Sequence, residues 1–271
     1  MKIALCQLDI IYEQKDKNLE NAELYMARAT AAGADMILFP EMSFTGFSMN
    51  VDLTGESAED SYTKDRMAKL ARQYHLAAGF GWVRAGEAKS FLAQNIYTVL
   101  DEEGKCLGEY AKIHPFTYGG ESQFFRGGDA LCIFPYKNHQ IALSICYDLR
   151  FPELYQALSD TAGILITAAN WPAVRQEQWK VLLQARAIEN QAYMLGINCC
   201  GMQGELLYTG GSAAFSPYGK DILTSDSMCE DADFTLFYAD IGEEAWDYRR
   251  EFPVRQDRLT PICIFPDERK K

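Results

Sequence analysis

Residues 2–8 (KIALCQL) are apolar at nearly every position and predict an opening strand rather than a signal peptide. From Lys15 the period changes. Leu19, Ala22, Met26 and Ala29 recur at three- and four-residue spacing, the stripe of a helix seated on a core. Asp16 is expected to cap that helix and Gly33 to close it. Met36-Ile37-Leu38-Phe39 is apolar throughout, as in a short strand covered on both faces. A second helix over about 57–74 and a strand over 76–83 complete a βαβαβ rhythm, which argues for α/β layers.

The middle of the chain changes character. Residues 96–100 and 106–111 flank Asp101-Glu102-Glu103-Gly104, a hairpin signature, and strands at 131–136 and 140–145 flank the turn Lys137-Asn138-His139. Between the two hairpins, residues 115–130 hold Gly119, Gly120, Gly127 and Gly128 and read as an excursion loop. A helix at 152–162, a strand at 164–168, a loop through Asn170-Trp171-Pro172, a helix at 173–190 and a strand at 192–198 follow. Strands at 211–216, near 221–224 and at 233–240, then a short helix and an irregular tail, complete the pattern. Without a linker, repeat or low-complexity segment, residues 1–271 read as one domain.

Composition narrows the class of function. The 26 Lys and Arg against 38 Asp and Glu give a net charge of -12, which argues against nucleic acid as a partner. From Asp221 to Glu251 there are ten acids and two bases, Arg249 and Arg250, so this stretch reads as a solvated acidic face. No apolar run approaches the ~20 residues of a membrane-spanning helix. The eight cysteines are scattered, with no C-x-x-C and one vicinal pair, Cys199-Cys200, which points to reduced thiols in the cytoplasm. His75, His114 and His139 lack the spacing of helix-borne ligands, so no zinc site is expected.

Familiar nucleotide and serine motifs are missing. There is no G-x-G-x-x-G after a strand and no G-x-x-x-x-G-K-[ST], and Gly210-Gly211-Ser212-Ala213-Ala214 lacks the last glycine of a serine elbow. What remains is carboxylate, lysine and thiol chemistry at strand ends. Glu41 follows the apolar strand and Pro40, at the mouth of a sheet where α/β folds place ligand crevices. Cys146 ends the apolar run 141–145 just before Pro152, which suits the first turn of a helix; a helix start there would favour the thiolate. The other cysteines read as core thiols, with Cys6 and Cys132 inside strand patterns and Cys106 opening one. Lys112 ends the strand 106–111, where a lysine is ordinarily a surface side chain; if it holds an oxyanion instead, Lys112→Met is expected to slow acylation while leaving stability unchanged. Glu121, nine residues on, is placed to orient it.

These residues give the chain a resemblance. FPE (39–41), YAKIH (110–114) and SICYDLRFPEL (144–154) resemble the three motifs of the nitrilase, or carbon–nitrogen hydrolase, superfamily, whose hallmark is a Glu-Lys-Cys triad on separate strand ends. The similarity runs from KIALCQLD through ARAIENQAY (185–193) to YRREFPVRQDR (248–258). NWPAVR (170–175) resembles the omega-amidase branch, which hydrolyses the side-chain amide of 2-oxo-dicarboxylic acid monoamides; Pro115 departs from the leucine that branch carries after Lys-Ile-His. The resemblance implies a four-layer αββα sandwich of two packed mixed sheets covered by helices. It also implies a homodimer or higher homo-oligomer.

The groups themselves define a reaction. Cys146 supplies the nucleophile and Glu41 the base, while Lys112 and the amide hydrogen of Tyr147 hold the oxyanion. Glu121 is expected close to Glu41 and the reacting amide. No metal or organic cofactor is required. A substrate carboxylate calls for a bidentate cation, for which Arg175 is the candidate. Phe116, Tyr118, Tyr147 and Trp171 are candidate walls, and Arg150 reads as a structural partner of Asp148 or Glu153. The competing readings are another hydrolase of the superfamily, acting on an N-carbamoyl amino acid, a nitrile or a deaminated peptide amide, and a catalytically idle interaction protein on the same scaffold.

Overall fold

The computed structural model describes residues 1–87, 92–231 and 234–258, with the side chains of 226–231 excepted. The first part of the chain runs β1 (Lys2–Leu8), α1 (Lys15–Ala31), β2 (Met36–Leu38), α2 (Val51–Thr54), β3 (Gly55–Glu56), α3 (Tyr62–Tyr74) and β4 (Ala77–Arg84). The middle supplies β5 (Gln94–Leu100), β6 (Cys106–Ala111), β7 (Ile133–Tyr136), β8 (His139–Ile145), α4 (Pro152–Leu158), β9 (Ile164–Ala169), α5 (Gln176–Asn190) and β10 (Tyr193–Asn198). The last part adds β11 (Cys200–Gln203), β12 (Leu206–Thr209), β13 (Ala213–Phe215), β14 (Thr224–Asp231), β15 (Phe234–Asp240) and α6 (Glu244–Glu251).

Among the described residues the strands form two mixed sheets and a small ribbon. One sheet has the order β14-β15-β1-β2-β4-β5-β6, with β3 beside β4; the other has the order β13-β10-β9-β8-β7; β11 and β12 pair with each other. Strand alternation explains why the sheets stack. On β1, Ala4 and Cys6 face one way and meet Leu19, Ala22 and Met26 of α1 and Met67 and Leu70 of α3. Ile3 and Leu5 face the other way and meet Leu143, Ile145, Ile164, Ile166 and Leu195 of the second sheet. That second sheet turns Ala142, Leu165 and Met194 outward, where Leu154 and Leu158 of α4 and Trp179 and Leu183 of α5 cover them. The result is helix, sheet, sheet, helix. Each fully buried Leu or Ile side chain contributes roughly 1.5–3 kcal/mol, so the three apolar interfaces hold the layers together.

Several local expectations are corrected. α1 begins at Lys15 with Gln14 in the capping position, and Asp16 lies in its first turn, where its charge faces the positive end of the helix dipole. Gly33 does adopt a left-handed conformation (φ 74°) just past the helix. The second long helix is shorter than its apolar pattern because Ser61 caps it, its side chain accepting from the Lys64 N–H (3.2 Å). α4 stops at Leu158 rather than 162, and His139 opens β8 instead of closing the turn. The β11–β12 hairpin was not anticipated: Gly201 and Gly204 both carry positive φ, and Leu206 and Leu207 break the alternation a hairpin normally shows. Asp221 makes only an isolated bridge to Phe215 rather than starting a strand. The acidic face read from 221–251 lies in part on residues 226–233, outside the described side chains.

Candidate active site

Glu41 sits on the turn beyond β2. The Phe39 N–H donates to the Gly79 carbonyl (2.8 Å), so the chain leaves the sheet still in register with β4. Met42 then takes a left-handed conformation (φ 42°) and bends the chain. Gly81 of β4 passes directly behind, where a Cβ would come within 2.2 Å of the Met42 nitrogen. Ser43 closes the turn: its Oγ accepts from the Gly81 N–H (2.8 Å) and donates to the Pro40 carbonyl (2.6 Å). The turn therefore needs a glycine on the neighbouring strand, and it aims Glu41 into the protein, where the residue is 0% exposed.

Lys112 leaves the end of β6 and is 1% exposed, so the surface lysine expected of its residue type is not found. Its Nζ donates to Oε1 of Glu41 (2.9 Å) and to both oxygens of Glu121 (3.1 and 2.8 Å). Burial works against the ammonium, but Glu121 and Glu41 override it and hold Lys112 well above its ordinary pKa. Glu121, on a single 3-10 turn in the excursion loop, is fully buried and also accepts from the Phe116 N–H (2.5 Å). Glu41 accepts the Asn170 N–H on Oε2 (2.8 Å), and its carbonyl accepts from the Asn170 side chain (2.6 Å).

Cys146 follows β8 at the first residue of a 3-10 turn and has a left-handed backbone (φ 45°), a strained conformation for a residue with a Cβ. Asp148 holds the turn from inside. Its carboxylate is fully buried and accepts from the Ile145 N–H (3.0 Å), the Tyr110 hydroxyl (2.8 Å) and the His114 N–H (3.0 Å), which ties the Cys146 elbow to the strand carrying Lys112. The expected thiolate is not favoured here. Burial first, and the Glu41 carboxylate next, push the thiol well above its ordinary pKa, with Lys112 opposing only in part. A short 3-10 turn has too weak a dipole to offset desolvation beside two carboxylates.

Cys146 and Lys112 open onto a narrow cleft lined also by Phe47, Phe116, Tyr147, Arg150, Asn170, Trp171, Pro172, Arg175, Leu206 and Tyr208. Phe116, Tyr147, Trp171 and Arg175 thus reach it as expected. Tyr118 does not: it is 90% exposed, its ring packs on the outer side of Phe116 (centroids 5.9 Å), and it lines no part of the cleft. Arg150 makes no ion pair with Asp148 or Glu153 among the described residues. Its guanidinium lies over the Trp171 ring (5.0 Å) and bonds the Gln178 amide, because Asp148 is already fully occupied. Arg175 lies over the Phe116 ring (5.3 Å). Among the described residues, no three His, Cys, Asp or Glu side chains are grouped so as to hold a metal ion, and no helix is long and apolar enough to cross a membrane.

A buried carboxylate–lysine pair beside a thiol on a strained strand-end turn matches the three motifs along the chain, and comparison with known proteins decides the matter. The profile of the carbon-nitrogen hydrolases matches residues 2–248. The chain belongs to the carbon–nitrogen hydrolase family. It is 33% identical over 261 residues to the omega-amidase YafV of Escherichia coli (strain K12), covering 95% of this chain and 96% of that protein. It is 31% identical over 259 residues to the 2-oxoglutaramate amidase of Bacillus subtilis (strain 168), covering 94% and 96%. Among solved structures, the amidase from Nesterenkonia sp. AN1 with acrylamide added at its active-site cysteine superposes with a TM-score of 0.79 at 25% identity, over 94% of this chain and 99% of that one. This carbon–nitrogen hydrolase is accordingly an amidohydrolase acting on non-peptide carbon–nitrogen bonds, with the four-layer fold of its relatives.

Several contributors to the candidate site escaped the sequence, Phe47 and Arg150 among them. Asn170 follows β9 as Glu41 and Cys146 follow their strands, so the strand-end criterion would have found it. Asn95 lies inside β5 and carried no signal. Leu206 and Tyr208 arrive on the unanticipated hairpin. That hairpin is pinned by Gln203, whose amide accepts from the Phe47 N–H (3.1 Å) and donates to Oδ1 of Asn170 (3.0 Å).

Proposed function

We propose that this amidohydrolase releases ammonia from the side-chain amide of a 2-oxo-dicarboxylic acid monoamide such as 2-oxoglutaramate or 2-oxosuccinamate. Glu41 removes the proton from the Cys146 thiol as its sulfur attacks the amide carbon. The oxyanion is held by the Lys112 ammonium and the Tyr147 N–H, donors of a kind worth about 3–4 kcal/mol each. Glu41 passes its proton to the departing nitrogen, ammonia leaves, and a thioester joins the acyl group to Cys146. Glu41 then takes a proton from water, which attacks the thioester and frees the acid. A thiol that rests neutral beside a buried carboxylate supports base-assisted attack in place of a standing thiolate. Glu121 keeps Lys112 and the substrate nitrogen in place. We treat the whole chain as one hydrolase domain that assembles as a homodimer or higher homo-oligomer and works in the cytoplasm, where its six described cysteines stay free thiols.

The observation that carries the substrate class is the pair of guanidiniums in the cleft. Arg150 and Arg175 have no carboxylate partner among the described residues, in a chain of net charge -12. Elsewhere Arg249 and Arg126, which also lack a carboxylate among the described residues, spend their donors on carbonyl and amide oxygens, whereas the two cleft guanidiniums lie over aromatic rings. An acyl chain ending in a carboxylate supplies the missing partner. The relatives named for omega-amidase and 2-oxoglutaramate amidase activity support the same class. Ammonia release is to be measured side by side with 2-oxoglutaramate, 2-oxosuccinamate, an N-carbamoyl amino acid and a simple nitrile. The two oxo-acid amides are expected to dominate; a preference for either of the other classes overturns the substrate assignment.

A further inference from the structure

Asn95 stands in β5 between two carboxylates. Its Nδ2 donates one hydrogen to Oε1 of Glu41 (2.8 Å) and the other to Oε1 of Glu121 (3.1 Å). Both neighbours are acceptors, so turning the amide over would set its carbonyl against two oxygens. Its own Oδ1 has no hydrogen-bond partner among the described residues, although the residue is 1% exposed. An apolar side chain of similar shape would remove that unmade bond, so the position is using the two amide hydrogens.

Charge shows what they are used for. Glu41 and Glu121 bring two carboxylates to a buried cluster in which Lys112 supplies the one cation bonded to them among the described residues. The other titratable groups facing Glu41 are the Cys146 thiol and, farther off, Cys199 and Tyr208, all kept neutral by burial. Two carboxylates side by side in such a place tend to share a proton, and a donor bonded to both opposes this. We propose that Asn95 is a positioning residue that holds Glu41 and Glu121 side by side through one donor to each and thereby sets the acid limit of turnover. The proposal rests on the reading of Glu41 as the base. A proton held between the two carboxylates leaves the Cys146 thiol with nothing to receive its own.

A hydrogen-bond donor favours the charged form of a carboxylate, so losing both donors is expected to move the acid limb of kcat/KM upward. Asn95→Leu removes both hydrogen bonds, and Asn95→Asp replaces them with a third carboxyl. With the fastest amide of the panel as substrate, the limb is expected to rise by about one pH unit or more in both variants, farther in Asn95→Asp, while the rate on the alkaline side returns toward that of the parent. Asn95→Ser, smaller and with one donor, is expected to shift the limb less and carries the test if the larger replacements fail to fold. A profile lowered by a constant factor, with its limb where the parent has it, overturns the proposal. Glu41→Gln separates the two readings. It is expected to be inactive at every pH, and turnover by that variant removes the base assignment whatever the Asn95 variants do.

Discussion

The carboxylate–lysine cluster and the acyl cleft adjoin at Cys146 but are built on opposite principles. In the cluster every charge is buried and met by a partner from another strand: Glu41 by Lys112, Asn95 and Asn170, and Glu121 by Lys112, Asn95 and Phe116. In the cleft the two arginines are partly open, lie on aromatic rings and have no carboxylate partner among the described residues. The first arrangement leaves little freedom, because each group is a condition for burying the next. The second keeps binding capacity in reserve for a ligand. Most of the cluster's positions come from the ends of β2, β6, β8 and β9 and from within β5, with Glu121 on the excursion loop, whereas the cleft walls come mainly from loops and from the β11–β12 hairpin. Chemistry is thus tied to the sheets, and specificity to the segments most easily varied.

The sharpest way to break this contrast is at the shared atom. Cys146→Ala should lower turnover at least about ten-thousandfold and leave the melting temperature near that of the parent, because the side chain opens onto the cleft and its strained backbone accepts alanine as readily. Appreciable turnover measured with the purified variant would remove Cys146 as the nucleophile.

Lys112→Met tests the cluster and should damage two things together. Acylation in single-turnover experiments is expected to slow by orders of magnitude, and the loss of the one ammonium between two buried glutamates should cost about 3–5 kcal/mol of stability in urea. From sequence alone, stability was expected to stay unchanged; burial reverses that. A variant as stable as the parent would show that the cluster does not depend on its ammonium.

Changes in the cleft should be milder and selective. Arg175→Ala or Arg150→Ala removes a charge-assisted bond of about 1.5–3 kcal/mol, so KM for 2-oxoglutaramate should rise roughly ten- to hundredfold. Pentanamide, uncharged and of similar length, should be far less affected, and stability should barely change. Equal losses on both substrates would make these arginines scaffold residues and dissolve the contrast between the two regions.

Much of the cluster was legible because its members sit where an apolar run ends. Glu41, Lys112 and Cys146 each follow a strand that alternation or continuous apolarity reveals, and position at a strand end is a local property. Asn95 and Arg150 were not legible. An asparagine within a strand looks like any half-buried polar residue, and an arginine two positions from Asp148 looks like its partner until His114, Tyr110 and Ile145 are seen to occupy that carboxylate. The hairpin that brings Leu206 and Tyr208 to the cleft hid behind glycines and an unbroken Leu-Leu pair.

What the sequence determined by itself is therefore most of the strands and helices, the order of the candidate reacting groups along the chain, and the family to which they point. All of these follow from short-range periodicity and motif spacing. The tertiary structure decided the electrical state of those groups. Whether Lys112 is a solvated surface cation or the hub of two buried carboxylates, and whether Cys146 rests as a thiol or a thiolate, depends on which distant strands bring charge and exclude water around them. Desolvation and Coulomb interaction act through space, between residues as far apart in the chain as Glu41 and Lys112, and no local pattern records them.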